Sequence, residues 1–254
     1  MPVLKTPGFS LDRTLATRQT YGWKRVMSID GVRHIIVSGD RIVVAHQWKR
    51  QGQTFTMFWG PDTDFFDFWF TYFDLQHDYM HTSRQCRSAL GPLSRAERCV
   101  SGFHLLNLPQ YQEYIEAHIR SHVRSHKNAL SYYNGLCAAC CGVKHKTFNG
   151  LGSVQWVPFP TAEQVIEKQD ELYWYLPRKV SMSIILATMK YVNGEEYELP
   201  PLMSDKNASR LEHAYHMDPA SIADWFMDGT DHDVKYMDTL LKMADKYDWA
   251  EPEI

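Results

Sequence analysis

Between His34 and Gly60 the chain, HIIVSGDRIVVAHQWKRQGQTFTMFWG, strings β-branched and aromatic residues in partly alternating runs, broken at Gly39-Asp40 and Gln51-Gly52. Alternation at a period of two marks a sheet with one buried face, and short turns between such runs favour antiparallel neighbours. The pattern predicts an antiparallel meander. The following segment, PDTDFFDFWFTYFDL (61–75), opens with Pro and Asp, which suit a first helical turn, and carries a dense aromatic face. It predicts a helix, or a helix and a turn, laid on that sheet.

From about Gly91 the hydrophobic period lengthens to that of a helix. LSRAERCVSGF (93–103) predicts a short helix, and LPQYQEYIEAHIRSHVRSHKNALSYYNGLCAACCG (108–142) predicts two, the first beginning after Pro109. FPTAEQVIEKQDELYWYL (159–176) begins with an N-cap threonine, and PRKVSMSIILATMKYV (177–192) has an apolar face and a stop at Gly194. DPASIADWFMD (218–228) and DHDVKYMDTLLKMADKY (231–247) are helical as well. No repeat or low-complexity segment interrupts them. The sum is an α+β chain, with a small antiparallel sheet and its helix over 1–82 and a mainly helical body over 83–254.

Composition narrows the setting. At 254 residues the chain buries a core without disulfides, and its five cysteines have no framework spacing, which fits a reducing, cytoplasmic compartment. The first twenty residues contain no apolar leader and no long apolar run follows, so neither secretion nor membrane insertion is expected. Net charge is −3, yet Arg84–Lys146 is basic and the last fifty residues are acidic. A basic middle suits a local anionic ligand better than general coating of DNA.

The densest polar stretch is EAHIRSHVRSH, residues 116–126. On a helix starting after Pro109, Tyr111, Ile115, Ile119 and Val123 make the apolar face. Glu116, Arg120 and Arg124 then form one polar stripe, and His118, His122 and His126 form another. Three readings fit: an exposed ion pair with incidental histidines, a histidine metal site without an acidic third ligand, or a polyanion site with Glu116 as base. The stretch alone does not choose among them. Cys137 and Cys140 have C-x-x-C spacing without a second ligand pair, on an apolar helix, and are read as core.

In order along the chain, several segments resemble the helix-hairpin-helix DNA glycosylases, particularly the branch with the 8-oxoguanine glycosylases. TLATRQTYGWKRV (14–26) is similar to that branch's entry into the sheet, and FDFWFTYFDLQHDY (66–79) to its helix and turn. Residues 104–142 resemble its long helix pair, FPTAEQV (159–165) its F-P-T-P-E-x-L segment, and 175–192 its G-Y-R-A-x-Y-I helix. The departures matter equally. The Gly-rich hairpin with its catalytic lysine has no match between Leu199 and Asp233, the iron–sulfur cysteines are missing, and the usually apolar helix at 111–126 is charged. Asp231 or Asp233 would stand at the V-D-T-H-V aspartate.

A glycosylase-like scaffold so altered resembles the phage α-glutamyl/putrescinyl thymine pyrophosphorylases, or amino acid:DNA transferases. That resemblance implies an enzyme acting on double-stranded DNA in which 5-hydroxymethyluracil is pyrophosphorylated. A free amino acid, glycine as first choice, or another amine displaces pyrophosphate. The implied roles are leaving-group contacts from Arg120, Arg124, His118 and His122, and a base in Glu116 or, second, Asp233. Tyr21, Trp23 and Tyr114 would receive the flipped base, Arg178 would hold the donor's carboxylate, and Lys127, Lys144, Lys146 and Lys179 would hold DNA phosphates. No cofactor is implied; magnesium escorting pyrophosphate would find paired carboxylates only in Asp231 and Asp233. A base-excising glycosylase and a non-catalytic DNA-binding protein remain as alternatives.

Overall fold

A computed structural model describes residues 2–29, 31–60, 65–142, 144–148, 152–176, 178–198 and 201–246, without the side chains of 144–148, 152–155, 173 and 175. The chain opens with β1 (Val3–Lys5) and α1 (Leu11–Ala16). Strands β2 (Trp23–Ser28), β3 (Gly31–Ser38), β4 (Arg41–Arg50) and β5 (Gln53–Trp59) follow. They form one antiparallel sheet in the order β1-β5-β4-β3-β2, the expected meander with a short fifth strand added at its edge.

Register sets the buried face. Trp23 lies opposite Ile36, and Ile36 opposite Val43, so these side chains share one side of the sheet with Ala45 and Phe58. Against them pack a π-helical turn (Phe65–Trp69) and the short α2 (Phe70–Tyr72) that continues it. Phe58 meets Phe65 and Phe73 at ring-centroid distances of 4.6 and 5.3 Å, and Trp69, Tyr72 and Phe73 are fully buried. The dense aromatic face is therefore core; the Pro and Asp expected to open its helix, 61–64, lie outside the described residues.

The helical body begins with α3 (Tyr79–Ser88) and α4 (Pro92–Val100), the latter started by Pro92 at its first position. Then come α5 (Gln110–His122) and α6 (His126–Cys141). The hairpin of β6 (Lys144–Phe148) and β7 (Gly152–Trp156) was not anticipated. After it lie α7 (Ala162–Glu167), α8 (Gln169–Tyr175) and α9 (Arg178–Val192). The chain ends in α10 (Asp205–Tyr215), α11 (Pro219–Phe226) and α12 (Asp231–Ala244).

Two apolar clusters organise these helices. Ile115, Ile119, Leu136, Val165, Leu172 and Ile184 bring α5 to α9 together. Leu93, Leu211, Met237 and Leu241 unite α4, α10 and α12, with Tyr79 and Cys86 of α3 in the same cluster. A division at residue 82 thus falls inside α3. One helix is shorter than expected: Val123 is extended and Ser125 caps α6 through a bond from the Asn128 amide, so Arg124 sits in the bend and His126 begins a new helix. The three-histidine row is broken for that reason.

Gly22 is fixed by close approach. Its carbonyl accepts from the Val37 amide at 2.7 Å, and a Cβ would sit 2.3 Å from the Val37 oxygen. Gly22→Ala is expected to cost about 1–3 kcal/mol or more, read as a lower urea midpoint, because backbone must move. His34 supplies a second test. Trp23 Nε1 donates to its Nδ1 at 3.0 Å, and burial pushes the imidazole down from 6.5 to about 4. The unfolded chain then binds this proton more readily, so the contribution is complete at neutral pH and is lost as pH falls from 6.5 towards 4. Urea midpoints across that range are expected to fall less steeply in His34→Asn.

Candidate functional site

A pocket of about 320 Å³ opens between α5, α12 and the segments 17–19, 106–108 and 201–202. Leu106, Leu108, Tyr114, Ala117, Pro201 and Leu202 give it an apolar floor. Its polar wall is Arg120, Lys235 and Lys242 with Glu113 and Asp238. Spacing explains the α12 contribution, since 235, 238, 239 and 242 recur at three and four residues and share one helical face. Lys235 Nζ is 2.7 Å from Glu113 Oε1, and Lys242 pairs with Asp238, which also accepts from the Ser204 amide and Asn207 Nδ2.

Glu116, one turn from Glu113, does not reach this pocket. It is fully buried and accepts from Thr20 Oγ1 and Gln112 Nε2, each at 2.9 Å, and from the Tyr21 amide at 3.2 Å. Arg120 Nη2 lies 4.0 Å away. Burial pushes this carboxyl above its ordinary range, against the opposing pull of Arg120 and the three donors. A carboxylate with its oxygens so occupied anchors the 20–21 backbone to α5. As the expected base facing a substrate, Glu116 is corrected to an internal anchor.

Arg120 is at the pocket and is held from several sides. Its Nε donates to the Glu116 carbonyl, its Nη1 to the Arg18 carbonyl at 3.1 Å, and its guanidinium lies 5.9 Å from the Tyr21 ring centre. Arg18 itself has a positive φ of 58°. Gln19 completes the segment: Nε2 donates to the His104 carbonyl at 2.8 Å and Oε1 accepts from the Leu106 amide at 2.7 Å. The loop before the first long strand is thereby tied to α5 and to the chain before it.

The histidine stripe points elsewhere. His118 Nδ1 donates to the Tyr114 carbonyl and His122 Nδ1 to the His118 carbonyl, while the Tyr197 hydroxyl donates to His118 Nε2 and Ser183 of α9 lies by His122 Nε2. Neither lines the pocket, and Arg124 is exposed in the α5–α6 bend. Of the three expected base-receiving aromatics, only Tyr114 lines the pocket. Tyr21 is buried against Tyr133 and His126, its hydroxyl pushed up to about 12 by burial, and Trp23 is in the sheet core.

Asp233 is the third residue of α12 in a capping box: its Oδ2 accepts from the Thr230 amide and hydroxyl, and it is 2 % exposed. Asp231, one position into the helix, is exposed. A base role for Asp233 and a shared magnesium face are both removed by this geometry. Lys127, Arg178 and Lys179 are exposed in first turns of α6 and α9, outside the pocket; the side chains of Lys144 and Lys146 lie outside the described residues. Cys137 is buried in the core and Cys140 is pushed up to about 12 by burial, as protonated packing thiols are.

No family model and no curated protein matches the chain. Solved structures do. MBOgg1, determined with a low-affinity DNA ligand, is 18 % identical, with a TM-score of 0.73 over 96 % of this chain and 95 % of that one. The apo 8-oxoguanine glycosylase/lyase of Clostridium acetobutylicum is 13 % identical, with a TM-score of 0.69 over 95 % of both chains. The 3-methyladenine DNA glycosylase of Archaeoglobus fulgidus is 13 % identical, with a TM-score of 0.56 over the full length of both. The protein has an α+β, DNA glycosylase-like fold.

Within that fold the stretch expected to hold a Gly-rich hairpin contains α10 and α11, joined at His216, Met217 and Asp218. Asp218 occupies the start of α11, its Oδ1 accepting from the Ala220 and Ser221 amides. Amides that in an uncapped helix are available to a phosphate are thus already paired with a carboxylate.

Sequence reasoning missed Gln19, Glu113, Lys235, Asp238 and Lys242. The i, i+3, i+7 spacing of Lys235, Asp238 and Lys242 was a signal for the last three. Glu116→Ala, which strands three donors and Arg120, is expected to cost about 3 kcal/mol in urea unfolding, and Glu116→Gln, which keeps an acceptor, distinctly less. Equal losses would contradict the anchor.

Proposed function

We propose that the protein is a DNA-modifying transferase that displaces pyrophosphate from 5-pyrophosphoryloxymethyl-deoxyuridine in duplex DNA with the amine of a small amino acid, glycine first. The carrying observation is that Arg120, Lys235 and Lys242 line one pocket of a DNA glycosylase-like fold. Support for DNA as the partner comes from similar structures, one printed with a DNA ligand and another, from Clostridium acetobutylicum, with double-stranded DNA.

In this reading the target nucleotide is flipped, at a cost of a few kcal/mol, and rests on Tyr114. The amine's lone pair forms the C–N bond to the exocyclic carbon as the C–O bond breaks, and that electron pair leaves on pyrophosphate. Arg120 and Lys242 meet the growing charge. Glu113, at the pocket wall beside Lys235, takes over the base role first assigned to Glu116 and accepts the amine's proton as the new bond makes it acidic. Lys235, at the pocket wall, takes the amino acid's carboxylate in place of Arg178. Lys127, Lys144, Lys146, Arg178 and Lys179 serve as backbone-phosphate contacts.

Duplex DNA carrying the pyrophosphorylated base, incubated with the protein, amino acids and polyamines, is expected to yield a nucleoside heavier by one amine and free pyrophosphate, read by mass spectrometry. Arg120→Ala and Lys242→Ala are expected to lower pyrophosphate release about 10²-fold or more, with unchanged circular dichroism for Lys242→Ala. Base excision is the second reading, favoured by the shared fold. Abasic sites and free base, without a new nucleoside, would select it.

A further inference from the structure

A separate cluster lies where the turn before α3 meets the start of α12. Asp74, His77 and His232 each bring one donor atom to within 4.8 Å of the others. Asp74 is 5 % exposed, and its Oδ2 is 2.8 Å from His232 Nε2 and 2.7 Å from the Tyr79 hydroxyl. Gln76 Nε2 donates to its Oδ1 at 3.0 Å. No lysine or arginine pairs with it among the described residues; the one ion-pair partner is His232. A buried carboxylate is thus faced by imidazoles, with the rings of His77 and His232 only 4.1 Å apart.

Among the described residues, two imidazole nitrogens nearby, His232 Nδ1 and His104 Nε2, are buried without a hydrogen-bond partner. His104 stacks on Tyr79 at 3.8 Å, and both line, with His77, a cavity of about 280 Å³ that shares no residue with the pocket above. Two nitrogens and one carboxylate oxygen suit a borderline d-block ion better than magnesium or calcium, which prefer oxygen alone.

We propose that Asp74, His77 and His232 bind one divalent transition ion of the zinc class. Bonds of about 2.0–2.2 Å in tetrahedral geometry set neighbouring donors roughly 3.4 Å apart, so His77 must draw in and the 2.8 Å Asp74–His232 separation must open slightly as the ion enters. The ion replaces the proton between Asp74 and His232 and couples the turn at 74–77 to α12. A fourth position towards the cavity at His77 has room for water. The inference does not depend on the transferase reading.

Chelator-treated full-length protein is to be titrated with cobalt(II) by visible absorption and with zinc(II) by calorimetry. One equivalent is expected to bind, with the intense d–d bands of low-coordinate cobalt displaced by zinc. His77→Ala and His232→Ala, checked by circular dichroism, are each expected to weaken binding about tenfold or more, and the double variant His118→Ala/His122→Ala not at all. His77→Gln serves if His77→Ala unfolds. No saturable binding by the wild-type protein, or binding unmoved by the His77 and His232 variants, overturns the proposal.

Discussion

The arrangement hangs on one carboxylate taken out of water. An unpaired buried charge costs several kcal/mol, so Glu116 is tolerable only while Thr20, the Tyr21 amide, Gln112 and Arg120 stay where they are. That requirement holds the segment before β2 against α5, which fixes the start of β2 at Trp23 and sets Arg120 at the rim of the pocket. Glu116 therefore positions pocket residues without facing the pocket itself. Gln19, bonded to the backbone at 104 and 106, repeats the same logic one residue earlier in the loop.

Elements with strong periodicity or caps were legible in the sequence. The meander, α4, α5, α6, α7, α9, α11 and α12 follow from alternation, helical stripes, and caps such as Thr161 with Gln164. The elements missed lack such signals. Strands β6 and β7 are five residues each, with basic residues in β6 and a glycine opening β7; α10 is largely polar and its cap, Ser204, makes no side-chain capping bond; α3 is mostly polar. Helix α5 was read too long because a continuous charge pattern hid Ser125, whose hydroxyl competes for the backbone at that point.

The site was less legible than the fold for a related reason. Helical spacing groups Glu116 with Arg120, and His118 with His122, but does not say what packs against each group. Contacts distant in sequence decide it: residues 18–21 close over Glu116 and Arg120, whereas α9 and Tyr197 take the histidines. One turn separates the buried Glu116 from the pocket-facing Glu113. Asp233 misled similarly, since a capping aspartate and a catalytic one can stand in the same short motif.

Helix α12 touches three environments along its length. His232 meets the Asp74 cluster, Tyr236 and Leu240 enter the core, and Lys235, Asp238 and Lys242 border the pocket. A helix of this length turns as a rigid rod. Whatever fixes the azimuth of His232 at its first turn also fixes how far Lys235 and Lys242 project into the pocket, which makes the rod an axle between the Asp74 cluster and the pocket.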